Sequence, residues 1–164
     1  MCNIYAARED GKASDMAEIL FYHLERSPLE RVLPDLLARS LERGWRVVVK
    51  IGSEERLQAL NAHLWSYDDA AFLPHGSAAD GHAEEQPVWL TTGDDNPNGA
   101  TVRFLVDGAG TADFGGYERI VFMFDAADPE ALAKAREAWK AARGSGGEAT
   151  YWRQDENRSW IKQG

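Results

Sequence analysis

Between residues 18 and 66 the chain alternates two kinds of segment, and that alternation limits its folds more than any other feature. "EILFYHL" (Glu18 to Leu24) is a compact apolar and aromatic run of strand length. "SPLERVLPDLLARSLERG" follows, with Leu29, Val32, Leu33, Leu36, Leu37 and Leu41 on one helical face. Ser27 is placed to cap it, Pro28 suits its first position, Glu30 completes a capping box, and Gly44 ends it. Pro34 lacks a backbone donor and predicts a kink near the second turn. "WRVVVKI" (Trp45 to Ile51) is a β-branched strand, and "SEERLQALNAHLW" is a second helix capped by Ser53, with Leu57, Leu60 and Leu64 as its stripe. Strand, helix, strand, helix predicts a parallel sheet flanked by helices.

The remainder extends this pattern. Residues 66 to 86 have no period and read as loop. "VWLTT" (Val88 to Thr92) and "TVRFLV" (Thr101 to Val106) read as strands around the turn "GDDNPNG", and "RIVFMF" (Arg119 to Phe124) as another buried strand. Asp128 caps a helix over Pro129 to Arg143, and "ATYWRQDENRSWIK" is a strand or a hairpin turning at "DEN". No internal repeat or linker divides the chain, so its 164 residues form one α/β domain.

Composition removes several functional classes. No run of about 18 apolar residues is present, so no membrane span is expected. The N-terminus "MCNIYAAREDGKASD" is too polar for a secretory signal, and the single Cys2 excludes an internal disulfide and a cysteine zinc site. These features point to the cytoplasm. A net charge of −9 opposes broad contact with nucleic acid. The charge is uneven: Arg56 to Arg103 encloses seven acids and no Lys or Arg, so the cations gather in the flanks.

Few segments offer chemistry. "GAGTADFGG", from Gly108, is the nearest approach to a dinucleotide loop, but Asp113 stands where the third glycine belongs, and its charge would oppose a pyrophosphate. His63, His75 and His82 match no metal-ligand spacing, so no metal and no cofactor are expected. No nucleophile elbow accompanies any serine, and no catalytic residue is assigned. A nucleotide-binding or hydrolytic enzyme on the same scaffold is the competing class.

The helix at 129–143 is more specific. Arg136, Trp139, Lys140 and Arg143 stand at i, i+3, i+4 and i+7 and share a face. The bland reading is a solvated stripe with Trp139 tucked into the core. The sharper one is a receptor for an acidic peptide with an apolar residue, the cations meeting carboxylates while Trp139 packs the apolar group. "HLWSYDDAAFLPHG" poses a similar choice. Trp65, Phe72, Leu73 and Pro74 surround an acidic turn, either lying back on the sheet or facing a partner.

In order and spacing, "FYHLERSPLERVLPDLLARSLERGWRVVVKIGSEERLQALNAHLW", "FLPHG" and "AREAWKA" resemble the chi subunit of bacterial DNA polymerase III holoenzyme, over most of residues 16 to 143. The resemblance implies a Rossmann-like three-layer domain with a mainly parallel sheet and no nucleotide loop, spanning 16–164 after an extension at 1–15. It implies a non-catalytic subunit of the clamp-loader assembly that binds the acidic C-terminal tail of single-stranded DNA-binding protein. Arg136, Trp139 and Lys140 match the family's R-x-x-Y-K tail-binding positions, with Trp in place of Tyr, and Phe124 matches an apolar residue of the same pocket. Trp65 and Phe72 match the spacing of a second surface, which holds the psi subunit or an alternative helicase partner. The acidic run between them and the long loop to Pro87 depart from the family pattern.

Overall fold

The computed structural model describes residues 18–25, 28–66, 74–78, 81–109, 117–125, 127–144, 148–154 and 160–162. Among the described residues, eight strands form one sheet: β1 (Glu18–Leu24), β2 (Val47–Ile51), β3 (Gly76–Ser77), β4 (Val88–Thr91), β5 (Val102–Val106), β6 (Arg119–Asp125), β7 (Glu148–Gln154) and β8 (Trp160–Lys162). The helices are α1 (Leu29–Glu42), α2 (Glu54–Ser66) and α3 (Pro129–Gly144). The sheet order is β3-β4-β2-β5-β6-β1-β7-β8, with every neighbouring pair parallel except β7 and β8. The chain is thus a mixed α/β protein with a mostly parallel sheet.

A parallel sheet covered on both faces needs apolar residues at every strand position, which explains the near-continuous runs in β1, β5 and β6. Along β1 the side chains alternate between two cores. Leu20, Tyr22 and Leu24 join Val47, Val49 and Ile51 with the buried leucines of α1 and α2. Ile19 and Phe21 join Ile120, Phe122 and Phe124 with Ala135 and Ala142 of α3. Around β4, β2 and β5, Val48, Trp89 and Ala100 make a third, smaller cluster against Ala83 and Tyr117. There Asp94 holds both Lys50 and Arg103, at 2.8 and 2.5 Å.

Several local expectations are refined or corrected. Helix α1 begins at Leu29 with Pro28 as an extended cap residue and no side-chain cap; Ser27 lies outside the described residues. The Glu30 carboxylate accepts from Arg56 of α2 at 2.6 Å, and the Ser27 amide that a capping box would engage lies outside the described residues. Helix α1 continues through Pro34. Proline leaves the carbonyl four residues back without its helical donor, and that carbonyl, Glu30 O, lies 2.6 Å from His63 Nε2 of α2. The region taken as loop contains β3 and a short 3₁₀ turn at Ala83–Glu85. The C-terminal segment takes the hairpin form: β8 runs antiparallel to β7, and Trp160 meets Tyr22 edge-on at 4.6 Å.

Other signals are realised. Ser53 Oγ accepts from the Arg56 amide and Asp128 from that of Glu130, as caps of α2 and α3. Gly44 ends α1 with φ +78°, where a Cβ would be strained. Gly52 is required differently: a Cβ there would stand 1.9 Å from the Asp107 carbonyl oxygen, so only glycine lets the β2–α2 turn meet the end of β5.

Candidate functional site

In-register parallel pairing rules the α3-facing side of β6, β1 and β7 into rows. Phe122, Phe21 and Tyr151 form one row, and Phe124, His23 and Arg153 the next. Phe21 stacks on Phe122 at 4.8 Å, and Trp139 of α3 meets Phe21 edge-on at 5.3 Å. Trp139 also meets Tyr151 edge-on at 6.0 Å, and Tyr151 lies 6.0 Å from Phe124. Trp139 is therefore half-buried, joined to the core along one edge. Phe124 is 7% exposed, so it forms part of the floor.

The rim is cationic. Arg136, Lys140 and Arg143 are exposed, and the Arg143 guanidinium sits 5.6 Å from the Trp139 ring centre. Arg39, Lys50, Arg56, Arg103, Arg119, Lys134 and Arg153 each pair with an acid. Among the described residues, Arg136, Lys140 and Arg143 do not; nor do Arg31, Arg46 and Lys162, which lie on other elements, so on α3 the three stand together as unpaired charge. Their charge therefore faces outward around an aromatic platform. The structure brings Arg136, Trp139, Lys140 and Arg143 together on one helix and places Phe124 in the same core cluster as Trp139, with Tyr151 in ring contact with both.

Strand β7 contributes residues that the helix periodicity does not reveal. Tyr151 hydrogen-bonds His23 Nδ1, and His23 Nε2 lies 3.4 Å from Glu25. Arg153 holds Glu25 through both carboxylate oxygens, at 3.2 and 3.0 Å. Burial is the largest influence on His23 and lowers its pKa; Arg153 adds to this, while Glu25 and Asp125 oppose it. Burial likewise raises the Tyr151 pKa, against the charges of Arg153 and Arg136. The only sequence signal for this strand is the alternation Ala149, Tyr151, Arg153, which is silent about what α3 covers.

The other predicted surface lies at the opposite part of the sheet. Trp65, near the end of α2, is 51% exposed and packs at 4.3 Å against His75, itself 3% exposed. Pro74 is half-buried beside them, whereas Phe72 and Leu73 lie outside the described residues. Two of the weighed histidines thus have packing roles: His75 under Trp65, and His63 on the Glu30 carbonyl. His82 stands exposed near Glu85, at 3.7 Å.

A crevice of about 640 Å³ opens at the carboxyl ends of β1, β5 and β6, where open α/β sheets bind their ligands. Its lining is chemically wrong for a phosphate. Glu25, Glu30, Asp107, Asp125, Asp128 and Glu130 face it against Arg56 and Lys134. Arg56 is already engaged by Glu30 and by Asp107, at 3.3 Å. Burial raises the Asp107 pKa even so. Gly108, at the head of the degraded glycine loop, has φ +83°, and Asp113 is outside the described residues.

Among the described residues no helix is long and apolar enough to cross a membrane. Residues 16–150 match the family described as DNA polymerase III chi subunit, HolC. A relative named "Probable DNA polymerase III subunit chi", from Rickettsia prowazekii (strain Madrid E), is 26% identical over 91 residues. The matched stretch covers 56% of this chain and 55% of that relative. With the family match extending over most of the sequence, the chain belongs to the DNA polymerase III chi subunit family.

Proposed function

We propose that this chain is a non-catalytic accessory subunit of a DNA polymerase III assembly, and that it docks the acidic C-terminal tail of single-stranded DNA-binding protein on α3. One observation carries the reading. In a protein of charge −9, the three cations that no described acid neutralises on α3 surround the half-buried Trp139. Arg136 and Lys140 meet the tail's carboxylates, Trp139 with Phe124 packs its apolar end, and Arg143 holds the indole face. The contact is small, so affinity is on the order of micromolar, and the many tails along one coated strand strengthen it by avidity. The acidic remainder of the surface keeps the subunit off the template itself.

Trp65 with His75 and Pro74, continuing into Phe72 and Leu73, is the second docking surface, for a psi subunit or an alternative helicase partner. The 51% exposure of Trp65 supports this, since so large an apolar surface is costly to leave in water. A Rossmann-like layering fits the separation of α1 and α2 from α3 into different cores. The nucleotide-enzyme alternative is opposed by the acids of the crevice, and a thermal-shift screen with nucleotides should give no stabilisation.

The decisive experiment is calorimetric titration of a tail peptide into wild type and Arg136→Ala at two salt concentrations. We expect micromolar binding that weakens with salt and falls at least about tenfold in the variant, as for loss of a charge-assisted contact. Equal binding by both proteins would move the tail elsewhere, and no binding by either would end the reading.

A further inference from the structure

The residues beside Trp139 that the helix stripe does not include form a connected polar chain: Glu25, His23 and Tyr151. We infer that Tyr151, set by His23, is the third wall of the tail site and reads the peptide's terminal carboxylate, its hydroxyl turning outward as a donor when His23 gains a proton. The inference rests on the tail-docking reading above, and it adds to that reading a specificity residue and a pH response.

Hydrogen accounting supports it. The Glu25 carboxylate can only accept, so its approach to Nε2 at 3.4 Å places the proton of neutral His23 on that nitrogen. Nδ1 is then a bare acceptor, and the Tyr151 hydroxyl must donate to it. In this state the phenolic oxygen offers a bound carboxylate only lone pairs. Protonation puts a hydrogen on Nδ1, which now donates to the Tyr151 oxygen and releases the phenolic hydrogen toward the peptide. No other atom changes place.

The surroundings set the working range. His23 is 9% exposed and is faced by Glu25 beyond β1, Asp125 at the end of β6, and Arg153 and Tyr151 on β7. From α3, the charge of Arg136 acts on Tyr151. The Tyr151 hydroxyl therefore feels the charge of Arg136, which attracts a carboxylate, while Arg153 is held by Glu25; beside it lie the aromatic rings of Trp139 and Phe124, where an apolar terminal residue packs. Burial, then Arg153, favours the neutral imidazole, so His23 takes up its proton at lower pH than a free imidazole does. A carboxylate bound at Tyr151 favours the protonated state, and by linkage its affinity must rise as pH falls.

The test is calorimetric titration of an acidic peptide with an apolar last residue, bearing either a free or an amidated C-terminus, at about pH 7.5 and about pH 5.5. Wild type, Tyr151→Phe and His23→Gln are compared, with Arg136→Ala as the control for tail docking. We expect wild type to bind the free-carboxylate peptide roughly fivefold more tightly at the lower pH. Tyr151→Phe, which keeps the ring and its packing, should lose the rise between the two pH values, as should His23→Gln and the amidated peptide. An undiminished rise in Tyr151→Phe, or none in wild type, would overturn the inference while Arg136-dependent binding left tail docking intact. No binding by wild type at either pH would remove both.

Discussion

The contact between His63 and the Glu30 carbonyl shows how one side chain offsets another's defect. Pro34 withdraws the donor that Glu30 O would use within α1, and His63 supplies one from α2 at 2.6 Å. A carbonyl can only accept, so Nε2 carries the hydrogen. His63→Ala should lower the free energy of unfolding by about 1–3 kcal/mol, the cost of an unsatisfied partly buried acceptor. Adding Pro34→Ala restores a helical donor and should recover part of the loss. Chemical denaturation of the single and double variants measures this, and simple additivity would refute the pairing. Neither role is legible in the sequence, where His63 is a polar residue at a helix end and Pro34 a discordant one. The two residues stand 29 positions apart, and only the packing of α1 on α2 makes them complementary.

At the scale of elements, Asp94 ties strands together. Its carboxylate accepts from Lys50 of β2 and Arg103 of β5, and these hydrogen bonds, Lys50's first, hold its pKa below the ordinary value. The folded pKa is depressed, so this stabilisation is present above the unfolded value, near about 3.9, and is lost as pH falls through the folded one. Asp94→Asn should therefore lower the melting temperature at neutral pH. Because the Asp94 side chain is 72% exposed, solvent screening limits the cost to about 1 kcal/mol. Thermal melts down to about pH 3 should show the two proteins converging. The sequence marks "GDDNPNG" as a turn but says nothing of Lys50 and Arg103, which become neighbours only through the β2–β5 register. Helices α2 and α3, by contrast, are legible to within a residue of their ends from caps and periodicity, because those signals are local.

Across the whole molecule the two surfaces stand apart. Trp65 sits on α2, whose leucines pack over β2 and β4, while Trp139 sits on α3 over β6, β1 and β7. No element is shared, so their energetics should be additive. Trp65→Ala should leave tail-peptide affinity within about twofold of wild type while weakening capture of the second partner. Arg136→Ala should do the reverse, and paired binding assays on both variants would expose any coupling.

The sequence by itself determined the alternation of strands and helices, the caps of α2 and α3, and the cationic stripe at 136, 139, 140 and 143. Each is written in residues within a few turns of one another, where periodicity and capping chemistry act. Tertiary structure alone decided the sheet order, the hairpin at the C-terminus, and the setting of Trp139 between Phe21 and Tyr151. It also decided that Glu25, His23 and Tyr151 form one chain of polar contacts. His23 and Tyr151 are 128 residues apart, and only the parallel pairing of β1 with β7 aligns them. Such contacts depend on register between distant strands, which no local pattern encodes.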